Sequence, residues 1–491
     1  MNAGNPAVEY HKAPRIGLVG GLVVFIAMLL SSAPEGLDDT AWRVAALGVL
    51  MAIFWMTEAI PIPATAMLPI PLIPLLNIAS VKESVVAYSH PVIFLFMGGF
   101  IVALAMERWR FHLRVALFVL RFSGDRPAFV LGGFLVVSAF LSMWVSNTAT
   151  TLMMLPIAVS VVGVFAVHST NDGLKSDAFS KALMLSLAYG ASAGGMATLV
   201  GTPPNAFLSG FVKQSYGIEI GFVDWMLVAL PISVLMLVAV WVVLTRVAFK
   251  IDNKRIPQIK ESINAKIAEQ GDPEFGEIMV GLIFLLLAVL WISRPWLNSV
   301  IPGLALSDSV IAMAVGLSTF LVPVDWRKGI FLMNWEWAKK IPFGILLLFG
   351  GGLTLASLID KSGLSSWIGG QLTVLGAFPT IVLVITMVLM LVLLTELTSN
   401  TATTAAFLPL VGALAVSLGD PPLLLIIPAT LAASCAFMLP VATPPNAIVF
   451  SSGYLEQRDM TRSGFLLNLI GVILVTVAAY SLVLWVFQLR M

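Results

Sequence analysis

Residues 146–151 read Ser-Asn-Thr-Ala-Thr-Thr, and residues 399–404 repeat the same six residues in the second half of the chain. Both copies lie inside long apolar stretches, where small polar residues are least expected. Residues 202–205 and 443–446 form a second repeated motif, Thr-Pro-Pro-Asn. Matched polar interruptions in two halves of an apolar chain predict a binding site that the halves share.

The similarity between the halves extends beyond these motifs. A proline follows the first serine of each hexapeptide by ten residues, at Pro156 and Pro409, and the glycines at 98–99 and 351–352 match at the same offset of 253 residues. Such colinear matches indicate a duplicated chain, which in a membrane protein predicts an inverted repeat. The hydrophilic stretch 250–275 is the expected linker between the repeats.

The composition predicts the class of protein. Of the 491 residues, 59% are hydrophobic and 11% are charged, whereas soluble domains carry about 25% charged residues. We therefore expect an all-α polytopic membrane protein with about eleven transmembrane helices, each needing about 20 apolar residues to cross. The candidate spans are 16–32, 41–60, 63–79, 91–107, 180–213, 222–249, 275–297, 301–323, 341–360, 422–452 and 463–489.

Charge and cysteine content narrow the remaining possibilities. Lys12 and Arg15 precede the first span and acidic residues follow it, which places the N-terminus in the cytoplasm. The single Cys435 excludes an intramolecular disulfide and a cysteine metal cluster. A net charge of +1 gives no indication of a nucleic-acid partner.

The motifs interrupt four apolar segments in two ways. Residues 127–167 and 376–419 are each long enough for two short helices, so we expect re-entrant hairpins with the Ser-Asn-Thr residues at their tips. Residues 180–213 and 422–452 should be broken helices, because two adjacent prolines remove backbone donors and clash with the preceding turn.

The chemistry of these regions suggests which ligand they bind. No Lys or Arg lies between Arg126 and Lys175 or between Lys361 and Arg458. Helix N-termini and backbone N–H groups bind anions, and freed carbonyls with Asn side chains bind a small hard cation such as Na⁺. A multivalent anion would need the charge of a co-bound metal cation. The residues thus indicate cation-coupled anion transport, and two separated tips favour a dicarboxylate.

Together these motifs resemble the divalent anion:sodium symporters, which carry succinate, malate, fumarate and citrate. The stretches 57–65 and 341–352 are also similar to that family, and the resemblance covers nearly the whole chain. It implies sodium-coupled symport of C4-dicarboxylates across the cytoplasmic (inner) membrane by a homodimeric elevator transporter. The domains implied are scaffold helices at 1–126 and 276–375, hairpins and broken helices of a mobile transport domain at 127–249 and 376–491, and the linker at 250–275.

The resemblance also implies site residues. The substrate-binding residues would be Ser146, Asn147, Thr148, Thr202, Pro203, Ser399, Asn400, Thr401, Thr443 and Pro444. One sodium ion would lie near Ser142, Ser146, Asn147 and Gly201, and a second near Thr395, Thr398, Asn400 and Ala442.

Two carboxylates, Glu58 and Glu396, fall near membrane depth, and Glu396 could tune the second sodium site or bond to a hairpin backbone. A membrane serine hydrolase using Ser146 or Ser399 is disfavoured, because the motif regions contain no His or Lys base. An anion channel is disfavoured by the occluding hairpins. A dicarboxylate exchanger, or a symporter of citrate or sulfate, remains open as an alternative.

Overall fold

The computed structural model describes residues 12–168, 173–252, 254–301, 303 and 305–489, so the expected cytoplasmic N-terminus at residues 1–11 lies outside them. The first half contains α1 (Lys12–Leu30), α2 (Asp39–Thr57), α3 (Ile62–Met67), α4 (Pro69–Leu75), α5 (Val81–Val86), a 3₁₀ turn (Ala87–Ser89), α6 (Pro91–Arg108), α7 (Phe111–Leu120), α8 (Pro127–Ser142), α9 (Asn147–His168), α10 (Gly173–Gly195), α11 (Pro203–Tyr216), α12 (Phe222–Val242) and a π-helical extension (Val243–Ala248). The remainder contains α13 (Pro257–Gln270), α14 (Phe275–Val300), α15 (Asp308–Ser318), the antiparallel strands β1 (Pro323–Asp325) and β2 (Ile330–Phe331), α16 (Trp335–Ala338), α17 (Phe343–Lys361), α18 (Leu364–Leu372), a 3₁₀ turn (Thr373–Ala377), α19 (Thr380–Thr395), α20 (Asn400–Ser417), α21 (Pro422–Ala433), α22 (Pro444–Ser451), α23 (Gln457–Ala478), a π-helical turn (Ala479–Val483) and α24 (Leu484–Val486).

Proline sets where many of these helices begin. Pro91, Pro127, Pro203, Pro422 and Pro444 each occupy the first position of a helix. Proline is favoured there because its missing N–H would have no intrahelical acceptor and its fixed φ suits the first turn. The prolines of both repeated motifs therefore start helices after an unwound segment.

Eight of the described helices are long and apolar enough to cross a membrane, and several shorter apolar helices accompany them. Two expected spans are not continuous helices. Residues 63–79 form the short helices α3 and α4, because prolines recur between Pro61 and Pro74. Among the described residues of 301–323, the helix is the eleven-residue α15, which ends before Pro323 begins the strand pair.

The order of helices repeats along the chain. The hairpin arms α8 and α9 are followed 253 residues later by α19 and α20, and α6 corresponds in the same way to α17. The corresponding helices α6 and α17 meet at their middles, where the Phe96 and Phe349 rings are 5.2 Å apart. The start of α6 at His90 and the end of α17 at Lys361 line the same cavity of about 620 Å³, which indicates that the two helices run in opposite directions. The halves thus form the inverted repeat that the motifs predict.

The second part of each broken helix packs against the hairpin of the other half. The second part of the first broken helix, α11, packs against the second hairpin at α20, and α22 packs against the first hairpin at α9. Two equivalent glycines permit close packing in the flanking helices, since a Cβ at Gly98 would overlap the backbone of Ala312 and one at Gly351 would overlap that of Ala66. Each hairpin is therefore enclosed by parts of both repeats.

The segment between the repeats is partly helical. Its helix α13 buries Ile259 and Ile263 against α7 and α9, while charged side chains such as Lys260 and Glu261 stay in solvent. Such an amphipathic helix is typical of a segment that lies along a membrane surface.

Candidate functional site

The first hairpin tip joins α8 to α9 through residues 143–146. Ser146 caps α9, since its carbonyl accepts the backbone N–H of Thr150 at 3.0 Å and its Oγ accepts that of Ala149 at 3.3 Å. The Ser142 hydroxyl, at the last residue of α8, donates to Asn147 Oδ1 at the first residue of α9. This bond ties the two arms together and orients the amide oxygen of Asn147.

The second tip has the same design. Thr395 ends α19 and its Oγ1 donates to Asn400 Oδ1 at 2.7 Å and also lies 2.8 Å from the carbonyl oxygen of Ala433. Asn400 follows Thr395 by five residues, as Asn147 follows Ser142. The paired tips therefore present one asparagine amide each, held by a hydroxyl at an identical spacing.

The Thr-Pro-Pro-Asn motifs end two unwound links, one between α10 and α11 and one between α21 and α22. The amide of Asn205 donates to the carbonyls of Gly195, Met196 and Thr198 at 3.1, 3.2 and 2.7 Å. Asparagine at the fourth motif position thus satisfies backbone carbonyls that the helix break leaves free.

The second link is held in the same way. The amide of Asn446 donates to the carbonyls of Ala436 and Leu439 at 3.3 and 3.0 Å. Asn205 and Asn446 are fully buried, and neither is among the residues that the sequence analysis assigned to the site. Their repetition in both motifs was the signal that could have identified them.

The first tip and the first link meet in a small pocket of oxygen atoms. A Cβ at Gly195 would lie 2.5 Å from Asn147 Oδ1, and one at Gly201 would lie 2.5 Å from the Gly195 carbonyl oxygen and 3.0 Å from that of Ser142. Glycine at these two positions leaves the room that converging carbonyl and amide oxygens need around a cation. Neutral oxygens are the donors that suit Na⁺, and those that converge here belong to Ser142, Asn147 and Gly195. The sodium-binding roles of Ser142, Ser146, Asn147 and Gly201 stay a prediction.

The predicted residues of the second sodium site come together less completely. Thr395 and Ala442 are buried, and Thr395 bonds to Asn400. The Thr398 hydroxyl donates to the carbonyl of Leu394 at 2.9 Å and lies 2.6 Å from Thr403 Oγ1. The Thr398 side chain is therefore engaged within its own hairpin, whereas Asn400 and Thr395 form the part that matches the first site.

The predicted site residues differ in their burial. In the first half, Ser146 is exposed, Asn147, Thr148 and Pro203 are half-buried, and Thr202 is buried at the N-cap of α11. In the second half the corresponding positions are half-buried at Ser399, Asn400 and Thr401, buried at Thr443 and exposed at Pro444. Among the residues predicted only for the sodium sites, Ser142, Gly201, Thr395 and Ala442 are buried and Thr398 is half-buried.

Glu396 holds the second link rather than its own hairpin. Its Oε1 accepts the backbone N–H groups of Phe437 and Met438 at 2.8 and 2.9 Å and the Asn468 amide at 2.6 Å, and its Oε2 accepts the N–H of Leu439 at 2.9 Å. Four donors and no described acceptor around the group match an ionised carboxylate, which can only accept. The expected bond to a hairpin backbone is thus wrong, because the backbone partners of the carboxylate belong to the second link.

In the first half, the unwound link is held without a charged side chain. The residue equivalent to Glu396 is Met143, and its carbonyl accepts the hydroxyl of Thr198, which in turn accepts the N–H of Gly201 at 3.1 Å. The two links are therefore fixed by different chemistry although their motifs are identical.

None of the described ion pairs involves a side chain at residues 142–148 or 395–401. Arg114 pairs with Glu277, Lys181 with Asp459 at 3.1 Å, and Arg294 with Glu219. Within the described parts of the chain, no group of three or more His, Cys, Asp or Glu side chains forms a metal site. The hydroxyls, amides, backbone groups and helix N-termini at the tips are thus the groups available to a ligand.

Glu58, the other carboxylate noted in the sequence, has a different environment. It is exposed at the C-cap of α2, where its backbone has φ of 48°. It belongs to neither motif cluster.

Comparisons with known proteins agree with the fold and the motifs. Residues 13–489 match the family described as "Sodium:sulfate symporter transmembrane region". The chain is 39% identical to the sodium-dependent dicarboxylate transporter SdcS of Staphylococcus saprophyticus, over 97% of this chain and 92% of the relative. It is 41% identical to SdcS of Staphylococcus aureus (strain USA300), over 95% and 90% of the two chains.

A solved structure supports the fold alone. The YdaH transporter of Alcanivorax borkumensis aligns with a TM-score of 0.56 over 97% of each chain, at 14% sequence identity.

Proposed function

Because the chain belongs to the sodium:sulfate symporter transmembrane family, we propose that it carries C4-dicarboxylates such as succinate, malate and fumarate together with Na⁺. The similar SdcS proteins are sodium-dependent dicarboxylate transporters. The family relationship also identifies the chain as a transporter rather than an enzyme.

One observation carries this proposal: two equivalent neutral tips, each with an asparagine held by a hydroxyl five residues earlier. Each tip begins a helix, at Asn147 or Asn400, whose N-terminus carries about half a positive charge. Two such termini attract the two carboxylates of a C4 acid but do not neutralise them. Sodium ions bound beside the tips supply the missing charge, so that substrate and Na⁺ bind together.

The roles of the residues follow from this arrangement. The substrate carboxylates bind to Ser146, Asn147 and Thr148 on one side and to Ser399, Asn400 and Thr401 on the other, with Thr202, Pro203, Thr443 and Pro444 lining the pocket. One Na⁺ binds at Ser142, Ser146, Asn147 and Gly201, and the other at Thr395, Thr398, Asn400 and Ala442. In support, the buried oxygens converge where glycine leaves space at Gly195 and Gly201.

Transport would proceed by an elevator motion. In this proposal the segments 127–249 and 376–491 move as one transport domain against scaffold helices at 1–126 and 276–375, with the linker at 250–275 spanning the two. A homodimer in the cytoplasmic membrane, with its N-terminus in the cytoplasm, would hold the scaffolds fixed while the hairpins carry substrate across. The exchange of α11 and α22 between the hairpins supports a single moving unit.

A second candidate is a transporter of another anion, such as sulfate or citrate, or a dicarboxylate exchanger. The description of the matching family names sulfate, which is the observation that favours it. Basic side chains at the tips would favour exchange, whereas Arg114, Lys181 and Arg294 are engaged in ion pairs with Glu277, Asp459 and Glu219.

Uptake into proteoliposomes tests the proposal. Labelled succinate should accumulate only with an inward sodium gradient, and unlabelled malate and fumarate should compete better than sulfate or citrate. Asn147→Ala and Asn400→Ala should each raise the Na⁺ concentration for half-maximal uptake about tenfold, equivalent to about 1.4 kcal/mol. Asn264→Ala, at an exposed position of α13, is the matched control and should behave as the unchanged protein. Uptake that does not depend on sodium would refute symport and favour exchange.

A further inference from the structure

The two hairpins are equivalent in sequence but differ in their surroundings. Trp144 and Leu397 lie two residues before the two Ser-Asn-Thr motifs, and Val200 and Val441 lie two residues before the two Thr-Pro-Pro-Asn motifs. Trp144 is half-buried and Val200 is 9% exposed, whereas Leu397 is 71% and Val441 is 79% exposed. At these positions the first tip and link are covered and the second tip and link are exposed, although Ser146 itself is exposed.

Aromatic rings cover the first tip. The Trp144 ring stacks on Phe222 of α12, with centroids 5.8 Å apart, and meets Phe284 of α14 edge to face at 4.9 Å. Phe222 in turn stacks on Trp291 of α14 at 4.6 Å. Rings at these separations attract one another beyond simple burial, so this aromatic cluster fastens the hairpin tip to α14.

An ion-pair network strengthens the same contact. Arg294, three residues after Trp291, bridges Glu219 at 2.8 Å and Asp308 at 3.0 Å. Asp308 also accepts the backbone N–H of Phe222 at 2.9 Å, and its carbonyl accepts the Trp291 indole N–H at 3.0 Å. The side chains of Arg294 and Asp308 are only 14% and 10% exposed, so their pairing is weakly screened by solvent.

Ring packing, rather than hydrogen bonding, holds Trp144 itself. Its indole N–H has no hydrogen-bond partner among the described residues. On the open side, Val441 belongs to an unwound link, and non-helical backbone at membrane depth is tolerated only in protein or beside water. The 79% exposure of Val441 is what an approach for water to the second half of the site would give.

We propose that Trp144 is a positioning residue of a gate formed by Trp144, Phe222, Phe284 and Trp291, and that this gate closes the binding site on the side of the first hairpin. The structure is then the state in which the site opens past Leu397 and Val441. The gate joins a hairpin to α14, so it separates whenever those two parts move relative to each other. This inference rests on the proposed transport function. It adds that Trp144 favours the state in which the site is closed on the side of the first hairpin.

Cysteine labelling of the full chain in lipid nanodiscs tests the gate without substrate or sodium. The native Cys435 is 1% exposed, so the unchanged protein serves as the unreactive blank. Val441→Cys should react with a soluble maleimide at least about tenfold faster than Val200→Cys, because buried groups react only from the minor open state. Equal rates at the two positions would refute the assigned state.

Adding Trp144→Leu places at the first tip the residue that the second tip carries. It should lower the ratio of the Val441→Cys rate to the Val200→Cys rate about fivefold, because lost ring contacts favour opening at the first hairpin. Trp144→Phe keeps an aromatic ring and should preserve most of the ratio. Trp326→Leu, at a 77% exposed tryptophan in the strand turn, is the matched control and should leave it unchanged.

The ratio separates gating from loosening, since a merely structural loss would raise both rates together. An unchanged ratio in Trp144→Leu would overturn the proposal. If that variant does not fold, Phe284→Leu removes the partner ring on α14 and should give the same shift. A shifted ratio in a protein that does not carry succinate would support the gate and contradict the proposed substrate, so the two failures are distinguishable.

Discussion

Replacing Glu396 with Gln should lower the free energy of unfolding by about 2 kcal/mol. The carboxylate accepts four hydrogen bonds, three of them from consecutive backbone N–H groups at residues 437–439. A glutamine amide keeps one acceptor oxygen and turns an NH₂ group toward at least one of those donors. A buried donor without an acceptor costs about 1–3 kcal/mol. Glu396→Ala removes all four acceptor contacts and should cost about 5 kcal/mol.

Reversible unfolding in mixed detergent micelles, followed by tryptophan fluorescence, measures this loss. Glu58→Gln is the matched control, because Glu58 is exposed and its replacement should change the free energy by less than about 0.5 kcal/mol. If Glu396→Gln proves as neutral as Glu58→Gln, the carboxylate does not hold the unwound link, and the interpretation of that link is refuted.

Other predictions concern the links and the first cation pocket. Gly201→Ala should abolish sodium-dependent uptake, because the added Cβ would lie 2.5 Å from a carbonyl oxygen of the pocket and the backbone there must shift. Gly163→Ala, where a Cβ meets nothing within 4 Å, should leave uptake unchanged. Equal uptake in the two variants would contradict a cation-binding role for this pocket. Asn205→Ala and Asn446→Ala should each destabilise the protein by about 2 kcal/mol, because each loses the two N–H donors of a buried amide at about 1 kcal/mol each. Unfolding measurements on both variants check this loss, and a change below about 0.5 kcal/mol in either would contradict the hydrogen-bond assignment.

Local sequence signals predicted much of this fold. The prolines at Pro203 and Pro444 identified the broken helices, and the repeated serines at Ser146 and Ser399 identified the hairpin tips, because helix starts are encoded within a few residues. The same reasoning should have divided the span 63–79, where prolines recur. The apolar length of this stretch predicted one span, although its prolines predict a break.

Contacts between distant residues could not be read in this way. Glu396 bonds to Asn468, and Trp144 packs on Phe284. These partners are separated by many helices, so their meeting depends on tertiary packing rather than on spacing. The motif alone predicts no role for Asn205, because a proline pair explains the helix break without showing what satisfies the freed carbonyls.

We propose that sodium supplies the positive charge for a dianion that the neutral hairpin tips cannot hold alone. Isothermal titration of the purified protein with succinate, in sodium chloride and in choline chloride at equal ionic strength, tests it most directly. Binding should be at least about 100-fold tighter with sodium, and succinate should tighten sodium binding by the same factor, as reciprocal coupling requires. Equal succinate affinity in the two salts would contradict the claim.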